Sequence, residues 1–327
     1  MTVHRPQIGV GTGSPFGQGE LSFSGPPPST ELLTLLVTGT AGNRVIKSTD
    51  GGLTWATPPA PPWLSCKLSA ANNLFVAVGN NGTDYAIWTS ADGNSWTLRQ
   101  TLPEQGGRAV WTGSEFWVPI LDMTTNHLYK SADGITWTQV ITSGTRPQNL
   151  PILHWTSGGF FFAASNYTNL GLSIYKSTNG LVWTRTLFDT DLTSPVPAGM
   201  LECALPNTMV MLNLSPFLLQ LSHSGAAYGI PTIPISTDGY RFGGGNDGGE
   251  NALVLPRGQY LNYSLDDGTT WNQVNSPTGD WFDVIWTGTR FVACSSFDTI
   301  IATSPEGINW TSRSASNIGG THIAGLP

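Results

Sequence analysis

The chain has 327 residues, a formal net charge of −7 and only 11% charged residues. Fourteen basic residues cannot supply the basic face that phosphate neutralisation needs, which excludes nucleic-acid binding. So little charge, against about 25% in ordinary domains, also excludes a coiled coil or helical bundle. With 39% hydrophobic residues and 13 Trp, the chain can fill a large core without disulfides or a structural metal.

Residues 1–31 are expected to form a separate Gly- and Pro-rich arm, in which Pro26-Pro27-Pro28 acts as a stiff, extended spacer. The stretch after His4 and Arg5 is Gly-rich and has no apolar run, so no signal peptide is expected. Leu32 to Val37, the most apolar stretch, is far too short to cross a bilayer, and no membrane insertion is expected. That stretch reads as a strand.

From residue 48 onward one pattern recurs: Ser48-Thr-Asp50-Gly-Gly-Leu-Thr-Trp55, Ser90-Ala-Asp92-Gly-Asn-Ser-Trp96, Ser131-Ala-Asp133-Gly-Ile-Thr-Trp137 and Ser177-Thr-Asn179-Gly-Leu-Val-Trp183. It returns as Ser264-Leu-Asp266-Asp-Gly-Thr-Thr-Trp271 and Ser304-Pro-Glu306-Gly-Ile-Asn-Trp310. The Trp residues are spaced by 41, 41, 46, 88 and 39, so the long gap hides a degenerate copy. Ser222-His-Ser-Gly-Ala-Ala-Tyr228 divides that gap evenly and is the expected seventh copy. Each copy lies between alternating strands, which predicts a hairpin. The acidic residue binds N–H groups of the turn, Gly supplies φ > 0, and Trp folds back over the hairpin.

A second hairpin precedes most copies, as in Ala109 to Val118, Leu153 to Phe162 and Val284 to Val292, with Thr-Gly or Ser-Gly-Gly at the turn. Ser236 to Phe242 matches this element, and Gly243 to Glu250 reads as a flexible insertion between two later strands. Each period of about 43 residues therefore holds four antiparallel strands, A to D. The expected fold is an all-β, seven-bladed β-propeller over residues 32–327. Leu32 to Val37 reads as strand B of blade one, and Thr321 to Leu326 as the strand A that closes that blade from the C-terminus.

These Ser-x-Asp-x-Gly-x-x-Trp units resemble the Asp-box, or BNR, repeats of sialidase-type β-propellers, over residues 32–312. The resemblance implies structural roles for Asp50, Trp55, Asp92, Trp96, Asp133, Trp137, Asn179, Trp183, Asp266, Trp271, Glu306 and Trp310. It places the D–A and B–C connections on the usual binding face, opposite the recurrent turns. A sialidase would further need three arginines, a Tyr–Glu nucleophile pair and an acid/base Asp, together with an Arg-Ile-Pro motif. Arg5-Pro6 and Arg146-Pro147 both lack the Ile.

Candidate binding residues are Arg99, Arg108 and Arg146 on successive D–A connections, Trp63 and Trp281 at the ends of D–A loops, and Tyr167 in a B–C loop. The rings suit stacking on carbohydrate or anchoring a protein contact. Cys66, Cys203 and Cys294 read as free thiols, and the five His show no metal-ligand spacing. No catalytic residue, metal or cofactor is expected. The functional expectation is a non-enzymatic interaction or structural propeller, such as a phage tail or virion surface protein. It would dock on other subunits through residues 1–30, with surface carbohydrate as a further partner, in a virion or extracellular setting. The alternatives are a sialidase-type glycoside hydrolase and a cytoplasmic assembly factor.

Overall fold

The computed structural model describes residues 31–39, 44–120, 127–144, 152–155, 161–167, 171–189, 201–204, 210–214, 217–221, 227–228, 243–246, 251–257, 259–266, 270–274, 277, 279–296, 300–314 and 319–327. The arm, residues 1–30, lies outside them. Among the described residues there is no helix, and the strands form seven sheets. Sheet two is typical. Strands A (Ser65–Ala71), B (Leu74–Asn80), C (Tyr85–Ser90) and D (Thr97–Leu102) follow one another as an antiparallel meander. Sheet three runs from Val110 to Ile141 and sheet seven from Trp281 to Ser314 in the same order. Sheet four, Ile152 to Asp189, gains a fifth strand where Ser143–Gly144 pairs in parallel with Val182 and Trp183 of its outer strand.

In sheet one the strand Thr34–Gly39 pairs on one side with Val45–Ser48 and on the other with the C-terminal strand Gly320–Leu326. The latter register runs from Thr34↔Leu326 to Gly39↔Gly320. The A strands of consecutive sheets touch: seven against one, one against two, three against four, four against five, and six against seven. They are therefore the inner strands of the arrangement.

The apolar sequence runs explain the packing. In B strands consecutive residues are buried, as in Leu35-Leu36-Val37, Phe75-Val76-Ala77-Val78 and Phe291 to Cys294. A strand buried on both faces carries an unbroken apolar run, because a neighbouring sheet covers each side. Leu36 and Ala324 meet Phe75 and Trp88 between sheets one and two; Val76 and Val78 meet Phe116 and Tyr129 between two and three. Trp117 and Leu128 meet Leu153 and Trp183 between three and four. Val254 and Leu261 meet Phe291 and Ala302 between six and seven, and Val292 and Ile301 meet Leu35 and Ile323 between seven and one.

The recurrent turns form as their chemistry requires. In Ser131 to Trp137 the hydroxyl of Ser131 accepts the Gly134 N–H at 2.8 Å, and Asp133 Oδ1 accepts the Ile135 and Thr136 N–H groups at 2.8 and 2.9 Å. Trp137 Nε1 then donates to the Gly134 carbonyl at 3.1 Å. The same indole-to-glycine bond closes the turns of Trp55, Trp183 and Trp310. The turn glycines do a second job. A Cβ at Gly93 would stand 2.8 Å from both Leu36 methyls, one at Gly307 would stand 2.8 Å from Val254, and one at Gly52 would stand 2.9 Å from Val292. Each turn is thus wedged against the sheet before its own.

Of the expected degenerate copy, Ala227–Tyr228 pairs with Phe217–Leu221 as the outer strand of sheet five, while residues 222–226 lie outside the described residues. One expectation is overturned here. Gly243–Asn246 is strand A of sheet six, paired with Asn251 to Val254, so these four residues are strand and not part of an insertion between later strands; residues 247–250 lie outside the described residues. Ser236 to Phe242 lies outside the described residues.

Candidate functional site

The inner strands converge where charge is least expected. Asp283 (sheet seven), His322 (sheet one) and Lys67 (sheet two) each lie in an A strand, and Arg108 lies two residues before strand A of sheet three. Asp283 is fully buried. Its Oδ2 accepts the Ile323 N–H and its Oδ1 accepts its neighbour Val284 N–H, both at 2.8 Å, so it bridges sheets seven and one. Arg108, 14% exposed, donates from Nε to the Leu68 carbonyl at 2.6 Å and from a terminal nitrogen to the Ile323 carbonyl at 3.3 Å. That same nitrogen lies 4.0 Å from Asp283 Oδ2. Four sheets meet through these two side chains.

Burial dominates the titration of the cluster. It pushes the Asp283 carboxyl up to about 7, against the pull of Arg108 and the two N–H donors. It brings the Arg108 guanidinium down to about 10, opposed by Asp283. Lys67 is lowered by burial and then by Arg108; His322 is lowered well below its ordinary value by burial, Arg108 and Lys67. Burial raises the thiols of Cys66 and Cys294, which are free and therefore poor nucleophiles. The side chain of Cys203 lies outside the described residues.

Beside this cluster is a cavity of about 280 Å³ lined by Lys67, Tyr85, Gln105, Phe282, Thr321 and His322 among others. It opens where A strands begin, B strands end and the D–A connection of residues 103–109 passes, which is the face expected to bind. His322 stands edge-on to Phe282, with ring centroids 6.2 Å apart, and its buried Nδ1 has no hydrogen-bond partner among the described residues. Among those residues there is no group of three His, Cys, Asp or Glu able to hold a metal, and no helix long and apolar enough to cross a membrane.

Of the residues singled out in the sequence for binding, Arg108 is the one among the described side chains that reaches this site. Arg99 belongs to strand D of sheet two, where its Nε donates to Thr89 Oγ1 at 2.8 Å. Arg313 repeats that cross-strand bond to Thr303 in sheet seven, so Arg99 serves its own sheet. The expected exposed rings are not exposed. Trp63 is 2% exposed, because Trp96 meets it edge-on at 4.4 Å and Trp88 lies at 5.8 Å. Trp281 is 0% exposed, because it opens strand A of sheet seven and packs among Val284, Phe291 and Trp310. Tyr167 ends strand B of sheet four, and its side chain, like Arg146, lies outside the described residues.

Sequence reasoning missed Lys67, Asp283 and His322. The signal present was slight: each is the only Lys, Asp or His of its inner strand, in Ser65–Ala71, Trp281–Trp286 and Gly320–Leu326.

The chain is similar in structure to a protein from Lactobacillus plantarum, at 15% identity and a TM-score of 0.63, covering 91% of this chain and 100% of that one. A putative 6-phosphogluconolactonase from Bacteroides fragilis matches at 13% identity and 0.63, covering 91% and 98%. YCF48 from Cyanidioschyzon merolae matches at 14% identity and 0.53, covering 85% and 88%. No protein-family model matches the chain, and neither does any curated protein. At these identities the likeness is one of fold, that of a β-propeller.

Proposed function

We propose that the chain is a seven-bladed propeller of the Asp-box type, closed by its C-terminal strand, that acts as a non-enzymatic binding and structural component of a virion. Residues 1–30 attach it to other subunits, and the opposite face meets the ligand or surface carbohydrate. The register of Gly320–Leu326 on Thr34–Gly39 and the core shared by sheets seven and one support closure. The family reading is supported by turns whose carboxylates and indoles serve the backbone.

One observation carries the functional reading: Glu31, which directly follows residues 1–30 in the chain, and the cavity sit at opposite ends of the inner strands. Where the arm enters, Glu31 Oε1 accepts Thr289 Oγ1 at 2.7 Å and lies 3.5 Å from Arg290, and the Leu32 N–H bonds the Thr287 carbonyl. That is the A–B turn of sheet seven, and the Gly51 N–H, in a recurrent turn, bonds Leu33 beside it. Phe282, five residues back along the same strand and roughly 16 Å away at the usual strand rise, lines the cavity. Attachment at one end thus leaves the other end free.

The test follows the chain through density-gradient fractionation of the particles of its source. The full chain should band with particles, and a chain lacking residues 1–30 should melt at the same temperature yet stay in the soluble fractions. A full chain confined to the soluble fractions refutes the attachment. Turnover of a fluorogenic sialoside or glycoside panel would overturn the non-enzymatic reading.

A further inference from the structure

We propose that the cavity at the mouth of the inner strands binds a small organic carboxylate, with Lys67 and His322 at its head group and Tyr85 and Phe282 along its body. The inference does not depend on how residues 1–30 are used.

Size comes first. A volume of about 280 Å³ has room for roughly nine waters at about 30 Å³ each, which suits a compact organic molecule. Charge selects its sign. Lys67 lines the cavity, and among the described residues its ammonium has neither a hydrogen bond nor an ion pair. A half-buried ammonium without a counter-ion is unfavourable, and an anion beside it removes that penalty. Asp283 does not fill the role, because its two oxygens are taken by the Val284 and Ile323 N–H groups and its cationic neighbour is Arg108. Arg108 adds a second positive charge behind Lys67, and its field reaches both Lys67 and His322.

Hydrogen bonding points the same way. His322 faces the cavity with a buried Nδ1 that has no partner among the described residues, and such atoms in native structures usually await a water or a ligand. The remaining wall is more apolar than polar. Tyr85, Val78 and Phe282 give a carbon body something to pack on, which a bare inorganic anion would leave unused.

The experiment is calorimetric titration and thermal melting of the full chain with benzoate, inorganic phosphate and benzylamine. Benzoate should bind and raise the melting temperature; benzylamine, with a similar body and opposite charge, should not. Lys67→Met and His322→Gln should each weaken benzoate by about tenfold or more, the scale of one charge-assisted hydrogen bond. Lys47→Gln, outside the cavity, should leave it unchanged. If Lys67→Met does not fold, Lys67→Gln and the shift of the His322 imidazole NMR signals during benzoate titration take its place. Absence of benzoate binding, equal binding of benzylamine, binding of phosphate in place of benzoate, or wild-type affinity in both cavity variants would each overturn the assignment.

Discussion

Replacing Gly93 with Ala tests whether the recurrent turns hold one sheet against the next. Gly93 has φ +73°, and an added Cβ would meet Leu36 at 2.8 Å on both methyls and 3.2 Å on Cγ. Leu36 is fully buried between sheets one and two, so it cannot swing aside. Gly113 is the control: its φ is +95°, and no atom lies within 4 Å of its added Cβ. Left-handed backbone costs Ala about 1–2 kcal/mol, offset by about 0.4–1 kcal/mol from reduced freedom of the unfolded chain. Gly113→Ala should therefore cost roughly 1 kcal/mol. Overpacking adds about 1–3 kcal/mol at a filled site, which puts Gly93→Ala at about 2–4 kcal/mol. The comparison is conservative, because +95° lies further from the left-handed minimum than +73° does. Backbone strain alone would make Gly113→Ala the worse variant. Urea unfolding followed by Trp fluorescence reads the difference as a shift in midpoint at constant slope. If Gly93→Ala is no more destabilising than Gly113→Ala, the turn is not a wedge between sheets and the reasoning fails.

Three further outcomes can be measured in the same way. Deleting residues 320–327 removes the partner of Thr34–Gly39 and the buried Ile323 and Leu326, with a loss of about 3–6 kcal/mol from those two side chains alone; a shortened chain melting within two or three degrees of the full one would contradict this. Trp310→Ala should cost about 3–5 kcal/mol, and Trp310→Phe, which loses chiefly the bond to the Gly307 carbonyl, about 1 kcal/mol; equal costs would mean that the ring does not pack. Asp283 holds a proton up to about pH 7 when folded and releases it near 3.8 when unfolded, so its contribution is fully present below about pH 4 and is lost as pH rises through about 7, by roughly 4 kcal/mol at most. His322, lowered by folding, acts in the opposite sense below its ordinary value, so the quantity to follow is the stability of Asp283→Asn minus wild type. That difference should grow between pH 4 and 7, and a flat difference would show that Asp283 stays ionised.

The β architecture was legible because it is repeated. A turn whose Ser, Asp, Asn or Glu, Gly and Trp each satisfy a local requirement announces itself from Ser48, Ser90, Ser131, Ser177, Ser264 and Ser304 onward. Two kinds of residue were misread. Trp63 and Trp281 fall outside the repeat and so looked available for binding, yet being off-pattern says nothing about burial: each plugs an irregular gap beside a D–A connection. Gly243-Gly-Gly-Asn246 looked like a loop because Gly has little intrinsic preference for strands. An inner strand tolerates it where backbones approach closely and side chains would crowd.

The cavity was invisible for a deeper reason. A repeat is recognised by what its copies share, whereas Lys67, Asp283 and His322 are departures, one per sheet, in inner strands that carry no other Lys, Asp or His. Only contacts between different sheets bring residues 67, 108, 283 and 322 together, since 255 positions of the chain separate the first from the last. In a chain with only four Lys, placing one of them half-buried on an inner strand, without an ion pair among the described residues, is costly unless something else offsets the charge. The same scarcity of charge that excluded nucleic acid therefore gives weight to the few charges that remain. A charged side chain on a solvated loop has the bland reading of a surface residue; one half-buried on an inner strand, facing a cavity, does not.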